Sequence, residues 1–266
     1  LGIWGLESMI LWLLVQAVSP AASISASAAV NVYLLSGTAG MASLLPGGLG
    51  VNEATTTLLL NQAGTALPGR LVLQVATIAP AESRDLAIAL QQRGAHCLET
   101  PVLGSRPEAL AGCLQVMVGG ERADLERARP VLTALGGEPH HLGPVGSALH
   151  TKLALNQLIA SLTHAFSLSL HLVQQGGVAV EPFMGLLRSS ALYASTFDKK
   201  LERELSADYS NPNFPTAHLR KDLNLFITSA QAAGLNSEGL DGLAALLERA
   251  VQTSRQLNAP ATRMLS

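Results

Sequence analysis

RLVLQVATIAPAESRDLAIALQQRG, residues Arg70 to Gly94, is the stretch whose reading decides the fold. Arg70 to Thr77 is a β-rich apolar run of the buried-strand type. It is followed by Pro80 and an acidic first turn, and the helical pattern stops at Gly94. Strand, turn and helix thus follow one another within 25 residues. Working outward, His96 to Val102 reads as a second strand leading into the loop LGSRPE, and Cys113 to Val118 as a third ending at Gly119-Gly120. Arg122 to Leu135 repeats a helical period closed by Gly136-Gly137, and His140 to Leu142 is a short extended segment. Alternating strands and helices with short loops predict an α/β layer on a largely parallel sheet.

Beyond Gly143 the pattern changes. Ser147 to Gln175 reads as one long apolar helix ending at Gly176-Gly177, and several helices follow, separated by Pro182, Pro212, Pro215 and Gly234. The last, Ser237 to Gln256, carries Leu240, Leu243, Leu246 and Leu247 at core spacing. The chain is therefore expected to be α/β over residues 1–144 and all-α over 145–266.

Composition narrows the function classes. A chain of 266 residues, 48% hydrophobic and 14% charged, can bury a sizeable core. Its 17 basic and 19 acidic residues form no broad basic surface, so a small metabolite is expected as partner and nucleic acid is not. Cys97 and Cys113 lack CxxC spacing and read as reduced thiols of a cytoplasmic protein. The histidines show no metal-ligand spacing such as HExxH, so no metal site is expected. From Leu1 to Gly69 the only charged residues are Glu7 and Glu53, yet the apolar run Met9 to Val18 is too short to span a bilayer, and no membrane association is expected.

GPVGSALHTKLALN, Gly143 to Asn156, carries the chemistry. On a helix starting near Ser147, Lys152 and Asn156 lie one turn apart on one face, otherwise filled by Leu and Ala. An ammonium beside an amide on an apolar face suits proton transfer to a developing alkoxide; the plain alternative is a surface lysine and a solvated asparagine.

Four blocks in order, VATIAPAESR (75–84), ETPVLGSRPEALAGCLQVMVGG (99–120), GPVGSALHTKLALN (143–156) and NPNFPTAHLRKDLNLF (211–226), resemble the β-hydroxyacid dehydrogenase family. That group contains 3-hydroxyisobutyrate dehydrogenase and the glyoxylate and succinic semialdehyde reductases. The resemblance implies a Rossmann-type N-terminal domain, an all-helical C-terminal domain, and an NAD(P)-dependent oxidoreductase moving hydride between a nicotinamide and a small hydroxy acid or aldehyde acid. Lys152 matches the family's catalytic lysine, and Asn156 would orient it or hold substrate. Leu103, Gly104 and Ser105 fall where the family grips the substrate carboxylate; Leu103 replaces a serine, with Ser105 and Arg106 as substitutes. Phe214 and Asp222 match positions lining the aldehyde reductases' active site, and Thr77, Leu45, Pro46 and Lys221 match cofactor contacts. Gly2 and Gly5 stand at the spacing of the last two glycines of G-x-G-x-x-G, without the strand and first glycine the family places ahead of them. The acidic or basic residue that would choose between NAD and NADP is not legible, and resemblance to the aldehyde reductases favours NADP. An imine reductase of this architecture and a non-catalytic relative used for binding are the alternatives. Against the first, Lys152 stands where imine reductases commonly place Asp or Tyr. The long apolar helix also implies a homodimer or homotetramer.

Overall fold

The computed structural model describes residues 67–207 and 214–257. Packing divides the chain into two compact units, the first ending at Lys152 and the second beginning at Leu153.

In the first unit β1 (Leu71–Gln74) leads through Pro80 at the first helical turn into α1 (Pro80–Gln91). Then come β2 (His96–Glu99), β3 (Val102–Leu103), the short α2 (Arg106–Leu110), β4 (Gln115–Gly119), α3 (Arg122–Gly136) and β5 (His140–Gly143). The expected strands and helices are present, but the sheet is mixed rather than largely parallel. β1 and β2 are parallel, β4 and β5 are parallel, and the two pairs meet antiparallel where Glu99 faces Gly119. Apolar periodicity reports burial and not strand direction, so the sequence reading had no access to this reversal.

The single strand expected over His96 to Val102 is broken. Thr100 N–H still bonds to Gln74 O at 2.8 Å, but Pro101 has no N–H to give. Beyond it Val102 and Leu103 pair antiparallel with Val116 and Gln115, in the register of the Glu99–Gly119 pair. Leu98, Val116, Val118, Leu125 and Leu132, all at most 2% exposed, fill the core between sheet and α3. Each contributes about 1.5–3 kcal/mol by leaving water.

Gln74, Glu99, Gly119 and Gly143 stand side by side across β1, β2, β4 and β5. The first two are buried polar residues, and the last two have no side chain.

The long helix α4 runs Ser147–Gln175, the bounds its sequence pattern predicts. By length and apolarity it could cross a bilayer. Its buried residues Leu149, Leu153, Asn156, Ala160, Phe166 and Leu170 recur every three to four positions, or at twice that interval, the stripe of a helix packed on protein. At 100° per residue the exposed Leu158, Leu168 and Leu172 fall on the opposite side. In the second unit α5 (Val180–Ser189), α6 (Ser195–Ser206), α7 (Thr216–Ala232), a short 3₁₀ turn (Glu238–Leu240) and α8 (Asp241–Leu257) follow. Phe166 and Phe197 stack with centroids 4.9 Å apart beside Leu170 and Met184, while Ala160, Leu223, Leu243 and Leu247 form a second apolar cluster.

Candidate active site

The turn Gly143 to Gly146 launches α4. Gly146 has φ +103°, a conformation side-chain-bearing residues rarely adopt. Its N–H donates to Glu99 Oε1 at 2.7 Å, and its carbonyl accepts the His150 N–H at 3.0 Å and His150 Nδ1 at 2.7 Å. A carbonyl only accepts, so this His150 nitrogen carries the proton and the ring serves as a brace. Lys152 follows on the next turn, half-buried.

Asn156, one further turn along, is 2% exposed, and its Nδ2 donates to Asp222 Oδ2 at 2.6 Å. The amide's NH₂ end faces the carboxylate oxygen, which accepts from it. Asp222, in α7, is itself buried, and the Lys221 ammonium lies 3.1 Å from its Oδ1. That approach makes an ion pair without the alignment of a hydrogen bond, so Oδ1 has no hydrogen-bond partner. Asn156 Oδ1 is likewise buried without one. Unsatisfied buried acceptors are rare because each carries a desolvation cost of about 1–3 kcal/mol. Asp222 Oδ1 is compensated by the Lys221 ammonium, so Asn156 Oδ1 is the acceptor of this pair that a donor such as an ammonium or a ligand hydroxyl would satisfy. Asn156 is therefore no solvated asparagine, and Lys221-Asp222 is no surface pair.

The structure thus brings Asn156, Lys221 and Asp222 together, with Lys152 one turn from Asn156 on the same helix. Phe214, half-buried, precedes α7 by two residues. In the first unit Thr77 lies half-buried in the loop after β1, Leu103 ends β3, and Gly104 is exposed with φ +136°. Ser105 caps α2 in this structure. Its N–H and its hydroxyl both donate to Glu108 Oε2, at 2.8 and 2.6 Å. The donors expected to substitute for the family's serine already hold a carboxylate, and Arg106 beside them is exposed. The S-x-x-E spacing of Ser105 and Glu108 was the available signal for this cap. Gly2, Gly5, Leu45 and Pro46 lie outside the described residues. Glu99 joins the residues of the Gly146 turn without a sequence motif that marks it as a site residue. A carboxylate ending an apolar strand two residues before Pro101 is its signal in the sequence.

Residues 35–143 match the NAD binding domain of 6-phosphogluconate dehydrogenase, and residues 146–262 match the NAD-binding domain of NADP-dependent 3-hydroxyisobutyrate dehydrogenase. The first match starts after Gly2 and Gly5. NAD-dependent L-serine dehydrogenase of Pseudomonas aeruginosa is 34% identical over 189 residues, which cover 68% of this chain and 63% of that protein. 2-Hydroxy-3-oxopropionate reductase of Escherichia coli is 31% identical over 64% of this chain and 58% of its own length. The chain thus matches less than two thirds of the length of these curated relatives. The crystal structure of 3-hydroxyisobutyrate dehydrogenase from Salmonella typhimurium superposes with a TM-score of 0.65 at 22% identity, over 75% of this chain and 71% of that one, so the fold is shared. With both halves of the architecture matched in order and the lysine and asparagine motif in place, the chain belongs to the β-hydroxyacid dehydrogenase family.

Proposed function

We propose that this chain is an NAD(P)-dependent oxidoreductase interconverting a small hydroxy acid and the corresponding aldehyde or oxo acid, with Lys152 as proton donor and acceptor. The observation that carries the reading is the buried Asn156–Asp222 pair one turn from Lys152, with an amide oxygen left open. In reduction the Lys152 ammonium gives a proton to the substrate carbonyl oxygen; in oxidation the neutral amine takes it from the hydroxyl. The open Asn156 oxygen accepts from the ammonium or from the substrate hydroxyl. Asp222, held by Asn156 and Lys221, fixes that amide and keeps its oxygen turned to the reacting side. Phe214 restricts water.

A nicotinamide dinucleotide, when bound, supplies or accepts the hydride. The described residues fit such a ligand: the Gln74 side-chain amide, at the carboxyl end of β1 three residues before Thr77, is buried with neither its oxygen nor its nitrogen hydrogen-bonded among the described residues. Thr77 and Lys221 would hold the cofactor, together with Leu45 and Pro46. One relative is named NAD-dependent and one matched family NADP-dependent, so both forms belong in the test.

The partner is a small carboxylate-bearing molecule, and the protein works in the cytoplasm, consistent with two free cysteines. The exposed Leu158, Leu168 and Leu172 on α4 suit a second copy of the chain, giving a homodimer or homotetramer. Titration of the natural full-length chain with NADPH and NADH, followed by nicotinamide fluorescence, tests the core of the reading. Binding of at least one is expected, and binding of neither overturns it.

A further inference from the structure

We infer that Glu99 is a positioning residue for Lys152, holding the turn from which the lysine-bearing helix starts. The inference rests on the assignment of proton transfer to Lys152. Glu99 is fully buried at the end of β2, between Gln74 on one neighbouring strand and Gly119 on the other. Its Oε1 accepts the Gly146 N–H at 2.7 Å. Its Oε2 leans over Gly119, where a Cβ would stand 2.5 Å from that oxygen, 3.1 Å from the Pro144 carbonyl and 3.2 Å from the Ala148 nitrogen. The carboxylate therefore reaches across a position without a side chain to the first turn of α4.

A fully buried carboxylate with one hydrogen bond among the described residues is costly in an apolar sheet, and an aliphatic residue would fill the row with less penalty. Two features offset the cost. The positive end of a 29-residue helix favours an anion at its N-terminus. Gly146, which the carboxylate grips by its N–H, is gripped by its carbonyl through His150 as well. Gly146 has φ +103°, and these two interactions fix the planes of its two peptide bonds. Lys152 lies six residues on, about 9 Å along the helix axis, so a tilt of the first turn becomes a displacement of the ammonium. Displacements near 1 Å cost on the order of a hundredfold in rate.

The test uses the full chain with Glu99→Ala, Glu99→Gln and Lys152→Ala, each assayed for turnover per folded protein, cofactor dissociation constant and hydrogen exchange at Gly146 and Ser147. Glu99→Gln keeps an acceptor for the Gly146 N–H and should stay within about fivefold of wild type. Glu99→Ala should lower kcat by about 30- to 100-fold while changing the cofactor constant less than about twofold, with exchange at Gly146 at least about tenfold faster. If Glu99→Ala does not fold, Glu99→Asp replaces it, its carboxylate one methylene short, and must show faster Gly146 exchange together with reduced kcat. Unchanged kcat in the Ala or Asp variant, or unchanged Gly146 exchange, overturns the inference. Lys152→Ala with wild-type turnover overturns the lysine reading itself. An inactive Lys152→Ala beside a fully active Glu99→Ala overturns only the role of Glu99.

Discussion

Asn156 and Asp222 lie 66 residues apart in the chain, and a 2.6 Å hydrogen bond between their buried side chains ties α4 to α7. Among the described residues each is the other's one side-chain hydrogen bond; Asn156 Oδ1 has none, and Asp222 Oδ1 is paired with the Lys221 ammonium. Replacing Asn156 by Ala leaves the buried Asp222 carboxylate, among the described residues, with the Lys221 ion pair alone. The unfolding free energy from urea denaturation should fall by about 1–3 kcal/mol. A loss below about 0.5 kcal/mol would mean that the pair opens to water in solution.

Lys152→Ala separates binding from chemistry. The side chain is assigned to proton transfer and not to cofactor contact, so NADPH or NADH affinity should stay within about twofold while turnover drops about a hundredfold or more, the usual worth of a positioned proton donor. Lys152→Arg should not restore activity, because a guanidinium cannot release its proton near neutral pH. Comparable losses in affinity and turnover would move Lys152 from the reacting atoms to the cofactor.

The helix α4 and the alternation of the first unit were legible because they rest on apolar periodicity and on glycine and proline stops, which are local. Lys152 and Asn156 were legible for the same reason, being one turn apart. The partner of Asn156 was not, since nothing within 60 residues of it announces Asp222, and only packing shows that the carboxylate is buried. Strand direction escaped because both orientations bury the same side chains. The Ser105–Glu108 cap was written in the spacing but was masked by the family's use of that loop for substrate. Glu99 stood in a quoted motif, yet its function depends on Gly119 and Gly146, both contributing space or a backbone N–H instead of a side chain.

The two cysteines should differ sharply toward thiol reagents. Burial first, then the negative charges of Glu99 and Asp124, push the Cys97 thiol up to about 12, whereas Cys113 is exposed. The thiolate is the reactive form, so at pH 8 about one Cys97 in ten thousand is reactive even before access is considered. Peptide mapping after iodoacetamide treatment of the native protein should find Cys113 modified and Cys97 protected until denaturant is added. The same shift has a stability consequence of fixed sign. The folded state holds the Cys97 proton more tightly than the unfolded chain, so its contribution is complete below the ordinary thiol value near 9 and declines as pH rises from there toward 12. Replacing Cys97 by Ala should flatten the alkaline limb of the stability profile.

Leu168 and Leu172 are 63% and 73% exposed on successive turns of α4. If a second copy covers them, a charge there is expelled from an apolar interface. Leu172→Glu should shift the protein toward monomer in sedimentation velocity at micromolar concentration, leaving the far-ultraviolet circular dichroism unchanged. A wild-type protein already monomeric would remove the proposed assembly, and an unshifted oligomer would place the interface elsewhere.

Gly119→Ala adds one methyl group where the sheet has no room for it. Gly119 does not have a positive φ, so the cost is purely steric: the new Cβ would stand 2.5 Å from Glu99 Oε2, with the Pro144 carbonyl and Ala148 nitrogen close behind. Overpacking of this kind destabilises by about 1–3 kcal/mol. Much of that cost comes from the Glu99 side chain, so the two positions should not behave independently. In the double variant Gly119→Ala with Glu99→Ala, the methyl group enters the space the carboxylate has left, and the combined loss should be smaller than the sum of the single losses by at least about 0.5 kcal/mol. Additive losses in urea denaturation would show that the clash is borne by the backbone of α4 instead, and that the carboxylate does not lie over Gly119 in solution.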